Sequence, residues 1–233
     1  MQHKSDSITA KQMAGAEAVK YIENGMVIGI GSGTTSACMI QALAQRLSEG
    51  LTIMGAVPTS QATAQLASSL GIPLTNLDAH PQLDLAIDGA DEIDSRLRLI
   101  KGGGGALLRE KIVATSSHRF IIIADTTKLV PQLGYAAPVP VETIPFAMTP
   151  VRRRLEALGA EVRLRQRDGQ IFRTDNGNII LDCFFANHIA DPETLDTNIH
   201  AIVGVVETGL FLNMAERAII GSAGGLQILP KAQ

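Results

Sequence analysis

Residues 83–111 read LDLAIDGADEIDSRLRLIKGGGGALLREK. The apolar run 83–87 predicts a buried strand, and its carboxyl end delivers Asp88 to the edge where open α/β sheets bind ligands. Asp91, Glu92 and Asp94 follow closely, then Lys101 and the glycines 102–105. A helix is expected from Ala106, and it carries Glu110. Glycines let a backbone come close to a bound molecule where side chains would block it. Acid clusters are often solvated loops and glycine runs are often linkers. Their conjunction, two carboxylates beside an ammonium and a pliable loop, points to proton transfer on a polyol or sugar.

Upstream, residues 26–30 predict a short strand, the glycines at 29, 31 and 33 a tight turn, and Ala37, Ile40, Leu43, Ala44 and Leu47 the buried stripe of a helix. Ser32, Thr34, Thr35 and Ser36 stand at that helix's start, where free backbone N–H groups make an anion site suited to a phosphate monoester. A dinucleotide fits less well, because GxGxxG needs glycine where Thr34 stands, and no P-loop lysine follows. Before this strand, residues 8–23 predict an amphipathic helix with Thr9 as its cap and Lys11 in its first turn.

Further strands are expected at 51–57 and 120–124, with helices at 60–70 and 106–116. Alternating strands and helices argue for a parallel, doubly wound, Rossmann-like sheet. The strand ending at Asp125 sets Thr126, Thr127 and Lys128 at the same carboxyl edge. Beyond the proline-rich stretch 136–145 the pattern changes. Strands at 139–142, 161–165, 178–184 and 201–206, with helices at 150–158 and 192–198, give the β-α-β-β-α-β order of a split βαβ, ferredoxin-like α+β domain. The expected division is 1–133 plus 207–233 for the sheet domain and 134–206 for the inserted one, with the closing segment rejoining the first sheet.

Composition removes several classes of function. The net charge is −3 and only 3% of residues are aromatic, so the basic footprint and stacking platforms of a nucleic-acid binder are missing. The basic run 152–154 reads as an exposed helix face. No apolar stretch approaches a membrane span and the start has no signal-peptide core, so the expectation is a cytoplasmic protein with no membrane partner. Cys38 and Cys183 read as buried thiols, and the five histidines lack ligand spacing, so no metal site is inferred.

The segments GIGSGTTSA, DGADEID, KGGGGALLREKIVA, ADTTKLV and TDNGNIILD, in this order and spacing, resemble the A-type ribose-5-phosphate isomerases. The resemblance runs from about Lys11 to Leu229, and its most specific part is the DGADE and KGGGGALLREK pair. It implies interconversion of D-ribose 5-phosphate and D-ribulose 5-phosphate through an enediolate, in the non-oxidative pentose phosphate pathway. Glu110 is implied as the base, Asp88 as the acid-base group at the oxygens, and Lys101 as the charge beside the enediolate. Gly89, Ala90 and Asp91 would line the same loop, while Gly102, Gly103 and Gly104 hold substrate oxygens through their backbone. Ser32, Gly33, Thr34 and Thr35 would bind substrate at the first turn, with Lys11 and Lys128 neutralising phosphate. The family's GTGST is GSGTT here, which keeps the hydroxyls. No cofactor and no metal are implied, and a homo-oligomer is, with a dimer favoured. A sugar-phosphate sensor without turnover is the alternative, but it needs no base at 110. A transferase or hydrolase would need a nucleophile elbow, which the serines and cysteines do not form.

Overall fold

The computed structural model describes residues 2–230, with side chains from Ser7 onward. In chain order the strands are β1 (Val27–Ile30), β2 (Gly55–Pro58), β3 (Leu85–Gly89), β4 (Glu92–Ile93), β5 (Leu99–Ile100), β6 (Phe120–Asp125), β7 (Val139–Thr143), β8 (Ala160–Leu164), β9 (Gln166–Arg167), β10 (Gln170–Ile171), β11 (Ile179–Phe185), β12 (Val205–Thr208), β13 (Leu210–Phe211), β14 (Arg217–Ser222) and β15 (Gly225–Pro230). The helices are α1 (Gln2–Ala18), α2 (Thr34–Ser48), α3 (Gln61–Ser69), α4 (Leu107–Thr115), α5 (Met148–Ala157) and α6 (Pro192–His200). Contacts divide the chain into two compact units. One holds the residues through Ala90, Arg109–Lys128 and Met214 onward; the other holds Asp91–Leu108 and Leu129–Asn213.

The first unit is built on a six-stranded sheet in the order β15-β14-β6-β3-β1-β2, parallel except for β15. Its inner strands are apolar on both faces, as two-sided burial requires, and β1 and β6 are buried throughout. The period of two sends Ile28, Ile30, Leu85 and Ile87 to one face, where they pack with Met39 and Leu43 of α2 and Ala14 and Ala18 of α1. Gly29 and Ala86 face the other way. There Val113 of α4 sits so close that a Cβ at Gly29 would come within 2.3 Å of its Cγ1.

The chain runs from β1 to β2 on one side and then returns to β3 on the other. The order therefore reverses between β1 and β3, which defines a topological switch point. Helix α1 begins at Gln2, so Thr9 lies inside it and does not cap it as the sequence suggested. The expected strand at 51–57 is confined to β2, and the closing segment does return to the first sheet, as the β14–β15 hairpin.

The second unit holds a four-stranded antiparallel sheet in the order β12-β7-β11-β8, with α5 following β7 and α6 following β11. This is the split βαβ arrangement read from the sequence. Val151 and Leu155 of α5 and Ile199 of α6 pack with Val141, Leu181 and Cys183 of the sheet. The strand expected at 201–206 falls later, as β12. A three-stranded antiparallel sheet, β13-β5-β4, and the short β9–β10 pair were not anticipated. These pairings, and the packing of Ile100, Leu133 and Leu210 into the same core, give this unit a wider span than residues 134–206.

Two of the clustered acids serve this unit's backbone. Buried Glu92 accepts N–H groups from Gly134 (2.7 Å), Ala136 (2.5 Å), Ala137 (2.7 Å) and, at 3.4 Å, Tyr135. Asp94 accepts those of Arg96 and Arg98, both at 2.9 Å, and pairs with the Arg98 guanidinium at 2.6 Å. Among the described residues no helix is long and apolar enough to cross a membrane. Replacing Glu92 with Gln puts a donor where N–H groups point. Urea unfolding of E92Q should show a loss of at least about 2 kcal/mol, the scale of a charge-assisted bond to a buried donor; an unchanged midpoint would show that other groups hold 134–137.

Candidate active site

Four adjacent strands of the first unit, β2, β1, β3 and β6, bring their carboxyl ends to one edge. Asp88 sits at the switch point, 2% exposed, near the end of β3. Its Oδ1 accepts the backbone N–H of Gly89 (2.7 Å) and Ser32 (3.1 Å) and the hydroxyl of Ser36 (3.2 Å). Three donors on one oxygen fix the plane of the carboxyl group and offset the cost of burying it. The seat exists because residue 31 has no side chain. A Cβ on Gly31 would stand 1.9 Å from Asp88 Oδ1.

Next to it, Ser32 Oγ lies 2.7 Å from Thr59 Oγ1, 2.8 Å from Ser60 Oγ and 3.1 Å from Thr63 Oγ1. Ser60 caps α3 by accepting the N–H of Thr63 at 3.1 Å, so this hydroxyl cluster ties the turn after β1 to the start of α3. The outer part of the turn faces solvent. Gly33 and Thr34 are exposed, Thr35 is half-buried, and Lys11 Nζ donates to Thr34 Oγ1 at 3.1 Å. Lys11 thus bridges from α1 to this turn and, at 3.9 Å, to Asp125 at the end of β6.

Asp125 also accepts from Ser7 Oγ (3.2 Å) and from the backbone N–H (2.9 Å) and hydroxyl of Thr127. These bonds shape the single 3-10 turn, Thr126–Lys128, on which half-buried Lys128 is carried. Burial alone would push the Asp125 carboxyl up. The hydrogen bonds from Thr127 and Ser7 and the charge of Lys11 outweigh it and hold the group below its ordinary value.

Glu110 lies in the first turn of α4 and is 6% exposed. It precedes Val113 by three residues and so shares its helical face, the one turned to Gly29 on the sheet. Since α4 connects the parallel neighbours β3 and β6, its N-terminal turn is at the carboxyl edge.

The remaining sequence-derived residues belong to the second unit, except Ala90, which ends a segment of the first. Asp91 Oδ2 accepts the N–H of Gly103 at 2.7 Å, which bends the glycine loop around that carboxylate. Lys101 is 2% exposed, with Nζ 5.3 Å from the centroid of the Phe211 ring. Gly103 and Gly104 are exposed and Gly102 is buried.

Sequence reasoning found the turns after β1, β3 and β6 and missed Thr59, Ser60 and Thr63. The signal was present in residues 58–63, PTSQAT, a hydroxyl-rich helix start following an apolar strand. Cys183 is fully buried, and burial, helped by the charge of Asp182, pushes its thiol up to about 12. Cys38 departs from the expectation of two buried thiols. It is only half-buried on α2, with its thiol raised by burial against the opposing pull of Lys11.

A mainly parallel sheet with a buried acid at its switch point and a hydroxyl-lined helix start beside it makes this an α/β protein with a polar cluster at the carboxyl edge of its strands. The model of the ribose 5-phosphate isomerase A (phosphoriboisomerase A) family matches residues 55–225, and the chain belongs to that family. The ribose-5-phosphate isomerase A of Bacillus mycoides is 53% identical over 217 residues, covering 93% of this chain and 97% of that one. The structure of ribose 5-phosphate isomerase A from Methanocaldococcus jannaschii is 41% identical with a TM-score of 0.90, over 95% of this chain and 98% of that one. A D-ribose-5-phosphate isomerase solved in complex with phospho-erythronic acid is 39% identical with a TM-score of 0.93, over 97% and 99% of the two chains.

The lowered Asp125 carboxyl sets a pH signature. A folded value below the unfolded one, about 3.9 for aspartate, adds stability that is fully present above that pH and is lost as pH falls through the folded value. D125N should therefore be less stable than the parent at pH 7, with the gap closing below about pH 4. Urea midpoints measured stepwise down the acid range test this; a gap that stays constant with pH would remove Asp125 as its source.

Proposed function

We propose that this chain interconverts D-ribose 5-phosphate and D-ribulose 5-phosphate, with Glu110 as the base that moves a proton between C2 and C1. The observation that supports this reading is that two buried carboxyls, that of Asp88 fixed by three donors and that of Glu110 in the first turn of α4, belong to the same unit as the turn after β1. Family membership supports it, as does the sugar acid bound by a relative 39% identical to this chain.

Asp88 acts at the oxygens. It transfers the proton that opens the sugar ring and then serves the hydroxyl whose proton shifts during isomerisation. Glu110 removes the C2 hydrogen of the open aldose, leaving an enediolate, and returns a proton to C1 as O2 becomes the ketone. Proton transfer by a placed side chain contributes about 10²- to 10⁴-fold to rate. Lys101 and the backbone of Gly102, Gly103 and Gly104 balance the negative charge that develops on the enediolate oxygens, where a preorganised donor is worth about 3 to 4 kcal/mol.

The phosphate end of the substrate is assigned to the outer part of the turn after β1. Ser32 spends its hydroxyl on the cluster at the start of α3, whereas Thr34 is exposed and already meets Lys11. Lys11, Thr34, Thr35 and Lys128 then hold the phosphate, with the free N–H groups at the start of α2. The cell compartment is proposed to be the cytoplasm, and the pathway the non-oxidative pentose phosphate route. A homo-oligomer, dimer favoured, is supported by Phe146 and Val203, which are 97% and 94% exposed in the second unit. A sensor that only binds has no use for a buried carboxylate at 110, and no observation favours it.

Three measurements test the reading. In heavy water the parent should convert ribose 5-phosphate to ribulose 5-phosphate bearing solvent deuterium at C1. E110Q should lose both product and label by about 10²-fold or more with near-normal substrate binding; parental turnover in E110Q would sink the assignment of the base. K128A should raise KM more than it lowers kcat, as loss of a contact made equally in ground and transition states does. An unchanged KM removes Lys128 from the phosphate site.

A further inference from the structure

The glycine loop has an unassigned support in the second unit. Arg165 follows β8, and its side chain is 13% exposed. Its guanidinium grips Asp182 of β11 side-on, Nε donating to Oδ2 at 2.9 Å and Nη2 to Oδ1. The remaining edge faces the loop, where Nη1 donates to the carbonyl of Gly102 at 2.6 Å and to that of Gly103 at 3.2 Å. The backbone of Arg165 is pinned as well, its N–H on Ile180 and its carbonyl accepting from Phe172 at 3.0 Å.

A trans peptide points its carbonyl and its N–H in opposite directions. Drawing the carbonyls of Gly102 and Gly103 toward Arg165 therefore turns the next N–H groups, those of Gly103 and Gly104, away from it. The first is taken by Asp91 at 2.7 Å. The second points away from the guanidinium in a segment where Gly104 is exposed. A cation on the carbonyl also polarises the peptide and makes its N–H a better donor to an anion. Without such a clamp, successive glycines can present either a carbonyl or an N–H to the same point, and a carbonyl would repel a developing oxyanion.

We infer that Arg165, held by Asp182, is a positioning residue that sets the peptides of residues 102–104 so that the Gly104 N–H, and not a glycine carbonyl, is offered to the substrate oxygens. This rests on the isomerase reading above. Asp182 fixes the guanidinium plane through two bonds, and lysine, a point charge on a flexible stem, cannot reproduce the fork.

The test compares R165K, R165Q and D182N with the parent in kcat, in KM for ribose 5-phosphate, and in the inhibition constant of phospho-erythronic acid. The carboxylate of that acid carries a full negative charge, as an enediolate oxygen does, which makes it a probe of the same donors. Thermal unfolding of each variant is followed in parallel, so that whichever variant stays folded carries the comparison. In R165K, kcat should fall about 10-fold or more and the inhibitor should weaken by a similar factor, with KM changed less than about threefold, the pattern of donors engaged at the transition state. D182N should move in the same direction. Addition of guanidinium at non-denaturing concentration should restore part of the rate to R165Q. Parental kcat and inhibitor affinity in the folded variants overturns the positioning role, as does a loss in which KM and the inhibition constant rise equally without rescue. Absence of ribulose 5-phosphate from the parent itself would instead defeat the isomerase reading.

Discussion

The carboxylate of Asp88 is buried at the point where the strand order reverses, and it stays there because residue 31 contributes no Cβ. A charged group taken out of water needs donors, and Oδ1 finds three. Two are backbone N–H groups of the turns that end β1 and β3, and the third is a hydroxyl in the first turn of α2. The acid thereby stitches two neighbouring strands and a helix together at their shared edge. The rest of that edge inherits its geometry from this seat. Ser32 is turned toward the start of α3, which leaves Thr34 and Lys11 outermost.

The same device recurs. Asp125 closes the turn after β6, Glu92 gathers the N–H groups of residues 134–137, Asp94 closes its own loop, and Asp91 holds Gly103. Each carboxylate replaces the strand or helix partner that its backbone donors lack. Charge is thus used for local architecture throughout the chain, and the groups assigned to chemistry are drawn from the same stock. The Arg165 guanidinium does the complementary work, donating to carbonyls instead of gathering N–H groups.

Much of this was legible in the sequence because long apolar runs and helical stripes are strong signals. The parallel sheet, the split βαβ unit and the return of the closing segment to the first sheet were read from the order of apolar runs and helical stripes, and Asp88 and Glu110 were put forward from their place beside predicted strand and helix ends. Two-residue strands such as β4, β5 and β13 carry no periodicity, since their identity lies in distant partners. By contacts the second unit takes in these strands as well as residues 134–206. Thr9 resembled a cap only because the helix was started too late, where its apolar stripe begins. The link between Arg165 and the glycine loop joins residues more than 60 positions apart, and no local pattern announces such a contact.

The placement of Cys183 bears on durability. With its thiol pushed up by burial and no exposed surface, Cys183 is held as the thiol and not the thiolate at neutral pH. Oxidants and alkylating agents attack thiolates, so this sulfur reacts slowly with them while the unit is folded. Cys38 is less enclosed, yet its thiol is raised too. Burial thus keeps the Cys183 sulfur in its protonated, less reactive form, so the sheet that carries it does not depend on a thiol that oxidants reach readily.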